Sequence, residues 1–312
     1  MPEKNVKLYD LLDSQDPQAV LTEILHILAL LGADGQRDRF ISAYNDILNL
    51  FKGDYPGYRA SNTRYHNLEH TIMVTLGTAR LIHGCVAGGM GFAPDNILTG
   101  LLAALYHDAG LIQKSRDRKG TGAKYTIGHE KRSVAFMRKN MDEKGYPHEQ
   151  MDDCEQLIKC TNIRMPLADI AFRSDEIKTL GMIVGSADLL SQIADRKYLE
   201  KLALLFKEFE EAGLPGFDSE EELIEKTEGF YKNVARKRLT LEMDNISINM
   251  KHHFKVRWDI DRDLYAEAIA NNIGYLKSMV RKNEAGGRKL DRKLMKRGAI
   301  GGAASAVRKV GR

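Results

Sequence analysis

The stretch LLAALYHDAGL, residues 101–111, decides how this chain folds. Ile97, Leu101, Leu102 and Leu105 recur at helical spacing, so the segment reads as a helix with a wide apolar face. His107 and Asp108 then place two ionisable groups at the end of that face. A buried charge there is costly unless it is paired or bound to a metal. As a bland alternative, Asp108 caps the next element while His107 packs against the chain.

Partners for the pair must come from elsewhere. The spacing predicts one helix over 66–83, on which His66 and His70, four residues apart, share a face. Such a pair on its own more often caps, pairs or sits half-exposed. Asp188 lies in GMIVGSADLLSQIA, residues 181–194, an apolar helical stretch with no basic residue within a turn. Its carboxylate needs a partner from a distant part of the fold. A cation shared with His70, His107 and Asp108 fits, since imidazole nitrogen and carboxylate oxygen together suit a divalent metal. A hydrogen bond from Ser186 or a remote tyrosine is the alternative.

Nearly all of the remaining chain also reads as helix. Pro17 opens a run in which Leu21, Ile24, Leu25, Leu28 and Leu31 recur, ended by Gly32. Further helices are predicted at 36–51, from Pro94 to His107, at 128–139, 148–160, 174–210, 221–244 and 260–281. Gly181 and Gly185 inside the long 174–210 stretch imply a close helix contact or an interruption. No run of alternating β-branched residues and no glycine-rich strand–turn–helix fingerprint is present, which argues against doubly wound α/β folds. The fold class is all-α.

Hydrophobic content of 43% and charged content of 29% are those of an ordinary globular protein. No membrane span and no secretory signal is legible, and three cysteines without a CxxC pair suggest a cytoplasmic protein with reduced thiols. The net charge of +4 conceals an asymmetry. Residues 281–312 hold 11 Lys or Arg against Glu284 and Asp291, a formal +9, so the other 280 residues sum to −5. This basic tail reads as flexible and suits nucleic acid or another acidic partner. Oligomeric state is left open.

Three strings carry a family resemblance: TRYHNLEHTIMVT (63–75), LYHDAG (105–110) and SADLL (186–190). Together they resemble the HD-domain metal-dependent phosphohydrolase superfamily, nearest to the catalytic domain of cyclic-nucleotide phosphodiesterases, with its Tyr-His-Asn tripeptide and following histidine. The likeness spans roughly 60–210 and includes LEKLALLFKEFEEAG (199–213), similar to the helix behind that family's site. It implies a compact multi-helix HD-domain bundle over 56–280, with residues 1–55 as N-terminal helices packed on it. His70, His107, Asp108 and Asp188 would ligate one metal, with Asp108 bridging to a second. His66 would protonate the leaving group after attack by a metal-bridging hydroxide.

His129, in YTIGHEKRSVAFM (125–137), resembles a histidine that other superfamily members place beside a second metal. Arg64 and Arg196, close in sequence to ligands, are the phosphate-contact candidates. The implied cofactors are one or two divalent cations, Mg, Mn, Fe, Ni or Zn, and the implied substrate is a phosphorylated small molecule, a nucleotide or related phosphodiester. Phosphomonoester hydrolysis, or a regulatory or nucleic-acid-binding role with a non-catalytic metal, are the competing readings. Two departures bear on the substrate. Leu111 stands where those phosphodiesterases carry another histidine, and no glutamine follows Gln192 to hold a purine edge.

Overall fold

A computed structural model describes residues 5–286, with the side chains of 283–286 left undescribed. The basic segment 281–312 therefore lies outside the described residues beyond Gly286. Among the described residues there is no β-strand; one isolated bridge joins Tyr58 to Lys114. The molecule is a bundle of helices around a continuous apolar core that runs from Val20 to Met279. No described helix is long and apolar enough to cross a membrane.

Local chemistry sets where the helices begin and end. In α1 (Pro17–Leu30), Asp16 accepts from the Gln18 and Ala19 N–H groups and Pro17 fills the first position. Helix α2 (Arg37–Lys52) stops at Gly53, which takes the left-handed conformation. Helix α3 (Leu68–Ala87) is capped by Asn67, whose side chain accepts the His70 N–H at 3.0 Å. Helix α4 (Pro94–Tyr106) starts with proline, and α5 (His129–Glu143) follows Gly128.

Helix α3 is the axis of the bundle. It is buried over nearly its whole length, from His70 to Cys85, and packs against α1, α4, α7 (Asp175–Ile193) and α10 (Met250–Trp258). A second layer sets α4 and α7 against α6 (His148–Lys159). The α6–α7 contact explains Gly185: a Cβ there would lie 2.6 Å from the Cys160 carbonyl oxygen, closer than real side chains approach. Gly181 meets Cys160 Sγ in the same way, so the two glycines mark a close contact and not a break.

The structure departs from the sequence expectations at three places. The predicted 66–83 helix starts at Leu68, so His66 lies in the turn before it. There the Thr63 hydroxyl donates to the His66 carbonyl and Asn67 Nδ2 donates to the Arg64 carbonyl, bonds that a continuous helix would not allow. The predicted 174–210 helix is two, α7 and α8 (Tyr198–Glu211). Asp195 interrupts it: its side chain accepts from the Lys197 N–H, while Asn272 of α11 (Leu264–Gly286) donates to the carbonyls of Ile193 and Asp195. Helix α10 was not expected at all, because it buries just Met250, His253 and Phe254, too little for a periodic signal. The 221–244 expectation corresponds to α9 (Glu220–Phe230) continued through two π-helical turns, Tyr231–Ala235 and Arg238–Glu242.

Candidate metal centre

Four segments deliver the ionisable groups to one point. Helix α3 brings His70 in its first turn, the end of α4 brings His107 and Asp108, and the middle of α7 brings Asp188. Helix α5 contributes His129 as its first residue. Asp108 and His107 are 2% and 1% exposed, so neither can be solvated.

The ligand atoms converge. His70 Nε2 and His107 Nε2 face each other at 3.3 Å, and Asp108 Oδ2 lies 3.4 Å from the first and 3.3 Å from the second. Asp188 Oδ1 is 3.4 Å from His70 Nε2 and 3.9 Å from His107 Nε2. Ligands bound at about 2.0–2.1 Å sit roughly 3.3 Å apart at the corners of a tetrahedron, so these separations match the edges of a coordination shell. Asp108 Oδ2 has no well-oriented hydrogen bond despite being buried. An oxygen so placed, between two imidazole nitrogens, suits a cation and is otherwise wasted. The buried group His70, His107 and Asp108 can therefore chelate a metal ion, with all three ligand atoms within 4.8 Å of one another. Asp188 stands at the edge of that trio, closer to the imidazoles than to Asp108.

Surrounding bonds hold the ligands in place. His107 Nδ1 donates to the Ala104 carbonyl at 2.7 Å, which leaves Nε2 free to face the cluster. Gln192, one turn after Asp188, donates to Asp188 Oδ1 at 2.7 Å and accepts from the Tyr65 hydroxyl at 3.1 Å. This Tyr65–Gln192–Asp188 chain answers the question left by sequence: the hydrogen bond to Asp188 comes from Gln192 and not from Ser186.

Asp108 faces two ways. Its Oδ1 lies 3.3 Å from His129 Nε2, on the side away from His70 and His107. His129 Nδ1 is 2.9 Å from the Thr126 carbonyl, which orients the ring. Helix α5 is docked onto the turn after Asp108 by Ser133, which accepts from the Gly110 N–H and donates to the His107 carbonyl, and by Arg132, which donates to the carbonyls of Gly110 and Ile112. Gly110 permits this contact: a Cβ there would lie 2.1 Å from the His129 carbonyl oxygen.

His66 lies next to the cluster without joining it, with its ring centroid 5.7 Å from that of His70. Its Nδ1 is 2.7 Å from Glu208 Oε2, while Glu208 Oε1 accepts the N–H groups of Arg64 and Tyr65 at 2.8 and 2.7 Å. Glu208, from α8, therefore clamps the whole turn. Three residues further along, Glu211 accepts from Thr121, so α8 also pins the basic loop after α4. The run of acids in α8 was the one sequence signal for Glu208.

The charges are mutually dependent. Burial disfavours an imidazolium at His107, but Asp108 and Asp188 outweigh it and hold the pKa up at about 9. His129 is also raised to about 9, against burial, by Asp108 and Glu130. Asp108 is correspondingly held well below the usual carboxylate range; burial opposes this, and His107 and His129 overcome it. At His66 burial again opposes the charge, and the hydrogen bond to Glu208 raises the pKa above its ordinary value. A cluster that gathers protons so strongly is one that a divalent cation can occupy in their place.

Neither arginine reaches the cluster. Arg64 is exposed and engaged through its backbone N–H. Arg196 stacks over the Tyr9 ring at 4.6 Å, in the wall of a cavity of about 600 Å³ that also reaches His70 and Tyr65.

A family profile described as Npun_R2479-like matches residues 41–255, a span that holds every residue of the cluster together with His66 and Glu208. No curated protein matches the chain. With more than two thirds of its length matched, the chain belongs to the Npun_R2479-like family.

Proposed function

We propose that this protein is a metal-dependent phosphohydrolase, and that its reaction is hydrolysis of a nucleotide or related small phosphodiester. One observation carries the reading: a histidine, His66, is held by Glu208 beside the ligand cluster but outside it. A site that only stores a metal has no use for a proton donor there. The resemblance of the Tyr65-His66-Asn67 triplet, the His107-Asp108 pair and Asp188 to the HD superfamily supports the same class.

His70, His107, Asp108 and Asp188 would hold the first cation, and Asp108 with His129 a second. Such ions supply Lewis-acid activation of water and neutralise charge on phosphoryl oxygens. The chain's own residues do the rest. Glu208 takes the His66 Nδ1–H, which leaves the Nε2 proton as the one available to a leaving-group oxygen. The Tyr65–Gln192 bond keeps Asp188 turned towards His70. Because Tyr65 N–H and His66 share Glu208, one carboxylate sets both the proton donor and the backbone that carries it. The missing late glutamine weighs against a purine held in the phosphodiesterase manner and keeps phosphomonoesters in the same test.

Turnover of a panel of mono- and diesters with added Mn²⁺ tests the reading. His66→Ala should lower kcat about 10²–10⁴-fold with metal content unchanged, whereas His107→Ala should lose the metal. A metal-loaded wild type inert towards every ester, or a His66→Ala variant as active as wild type, overturns it.

A further inference from the structure

The chain leaves the ligand cluster at Asp108 and returns to it at His129, where Asp108 Oδ1 and His129 Nε2 are 3.3 Å apart. The excursion between them carries Lys114, Arg116, Arg118 and Lys119, all exposed and none in an ion pair among the described residues. The loop's own acid, Asp117, is spent inside it, accepting from Lys124 Nζ at 2.6 Å and from the Tyr125 hydroxyl. Glu211 of α8 reaches the loop from outside and is engaged by the N–H and hydroxyl of Thr121. Surface cations elsewhere, among them Arg138, Lys144 and Arg173, have carboxylates against them. Four unneutralised cations in six residues therefore stand out in a body whose residues 1–280 sum to −5.

A fixed frame carries these charges. Gln113, 1% exposed, sits at the base of the loop, where its Nε2 donates to the Lys119 carbonyl and its Oε1 accepts from Asn62 Nδ2, both at 2.9 Å. The Gln113 carbonyl accepts the Arg59 N–H, and Arg59 Nη1 donates to the Asp117 carbonyl, again at 2.9 Å. Asn62 Oδ1 accepts the Gly122 N–H at 2.9 Å. These bonds tie the loop to the segment that leads into His66, on which Arg64 is also exposed. Glu211, which holds Thr121, lies three residues and so about 4.5 Å along α8 from Glu208, which holds His66.

We propose that this loop binds the sugar–phosphate backbone of a nucleic-acid strand. A single small anion gains little from exposed, solvated cations. Several cations on a fixed frame act together on a string of phosphates, each contact releasing counterions from the strand. Residues 114–120, KSRDRKG, hold no apolar side chain to enter a bilayer, which favours a strand over a lipid surface. Binding at the loop does not depend on hydrolysis at the metal centre; where both hold, the loop grips phosphates remote from the scissile bond.

Fluorescence anisotropy on the entire chain in EDTA tests this with labelled oligothymidylate and oligouridylate of about 20 nucleotides, long enough to span the loop. One or both should bind, and their order identifies the sugar. The combined variant Lys114→Gln, Arg116→Gln, Arg118→Gln and Lys119→Gln should keep the wild-type Tm, since all four side chains are exposed. It should bind about tenfold or more weakly at low salt, with the slope of log Kd against log salt reduced by about 2–3. Thymidine monophosphate at matched phosphate concentration should not displace the strand. Wild-type affinity and salt slope in the variant would mean that the strand is held elsewhere, the basic 281–312 segment included, and overturns the proposal. So does displacement by the monophosphate, absence of binding by either strand, or a variant that loses phosphatidylserine vesicles while keeping the strand. Since no metal and no turnover enters the measurement, this outcome and the fate of the hydrolytic reading are separable.

Discussion

Glu208 is the residue on which the proposed proton chemistry turns. Glu208→Gln keeps an oxygen for the Arg64 and Tyr65 N–H groups but presents an amide N–H₂ to His66 Nδ1, which favours the neutral ring. The raised pKa of His66 keeps its proton to a higher pH than an ordinary imidazole does, and the proton is lost as pH climbs through that raised value. Activity should therefore fall on the alkaline side in wild type, and the fall should move to lower pH in Glu208→Gln, with kcat reduced about 10–100-fold at neutral pH. A pH–rate profile checks this; an unmoved alkaline limb would mean that some other group supplies the proton. At this scale the sequence was informative wherever a polar residue interrupted an apolar run. His70, His107, Asp108 and Asp188 stood out for that reason and do converge. Glu208 and Gln192 did not, because an acid or amide on a half-exposed helix face looks like any solvated side chain.

Among the elements, the docking of α5 on the turn after Asp108 fixes how far His129 stands from the other ligands. Gly110→Ala puts a methyl group against the α5 backbone, which cannot yield as a side-chain tip would. Overpacking of this kind costs about 1–3 kcal/mol, and α5 should retreat and take His129 with it. A Mn²⁺ titration should then show weakened binding between Asp108 and His129, with binding at His70 and His107 less affected, and a denaturant melt should show the lost stability. Unchanged affinity and stability would count against α5 as the positioning element. Helices with long apolar periods, such as α1, α3 and α4, were legible before folding. The break at Asp195 and the short α10 were not: the first depends on Asn272, far along the chain, and the second buries three side chains.

For the molecule as a whole, a centre drawn from residues 70 to 188 exists in the folded state alone, so an ion bound there must stabilise the fold. At a hundred times its Kd the gain is about 2.7 kcal/mol, worth a few degrees in Tm. Because His107 and His129 hold protons up to about pH 9 when metal-free, those protons compete with the ion. The Tm gain on adding Mn²⁺ should therefore be larger at pH 8 than at pH 6, and absent in His107→Ala; scanning fluorimetry with and without a chelator reads both. A gain that persists in His107→Ala would place the ion elsewhere.

Helix α3, sheathed by four neighbours, also has a kinetic consequence. Its amides are protected from solvent to a degree that the outer segments cannot match, so deuterium should enter it last, through global unfolding. His70, in the first turn of this helix, thus rides on the part of the protein expected to exchange last.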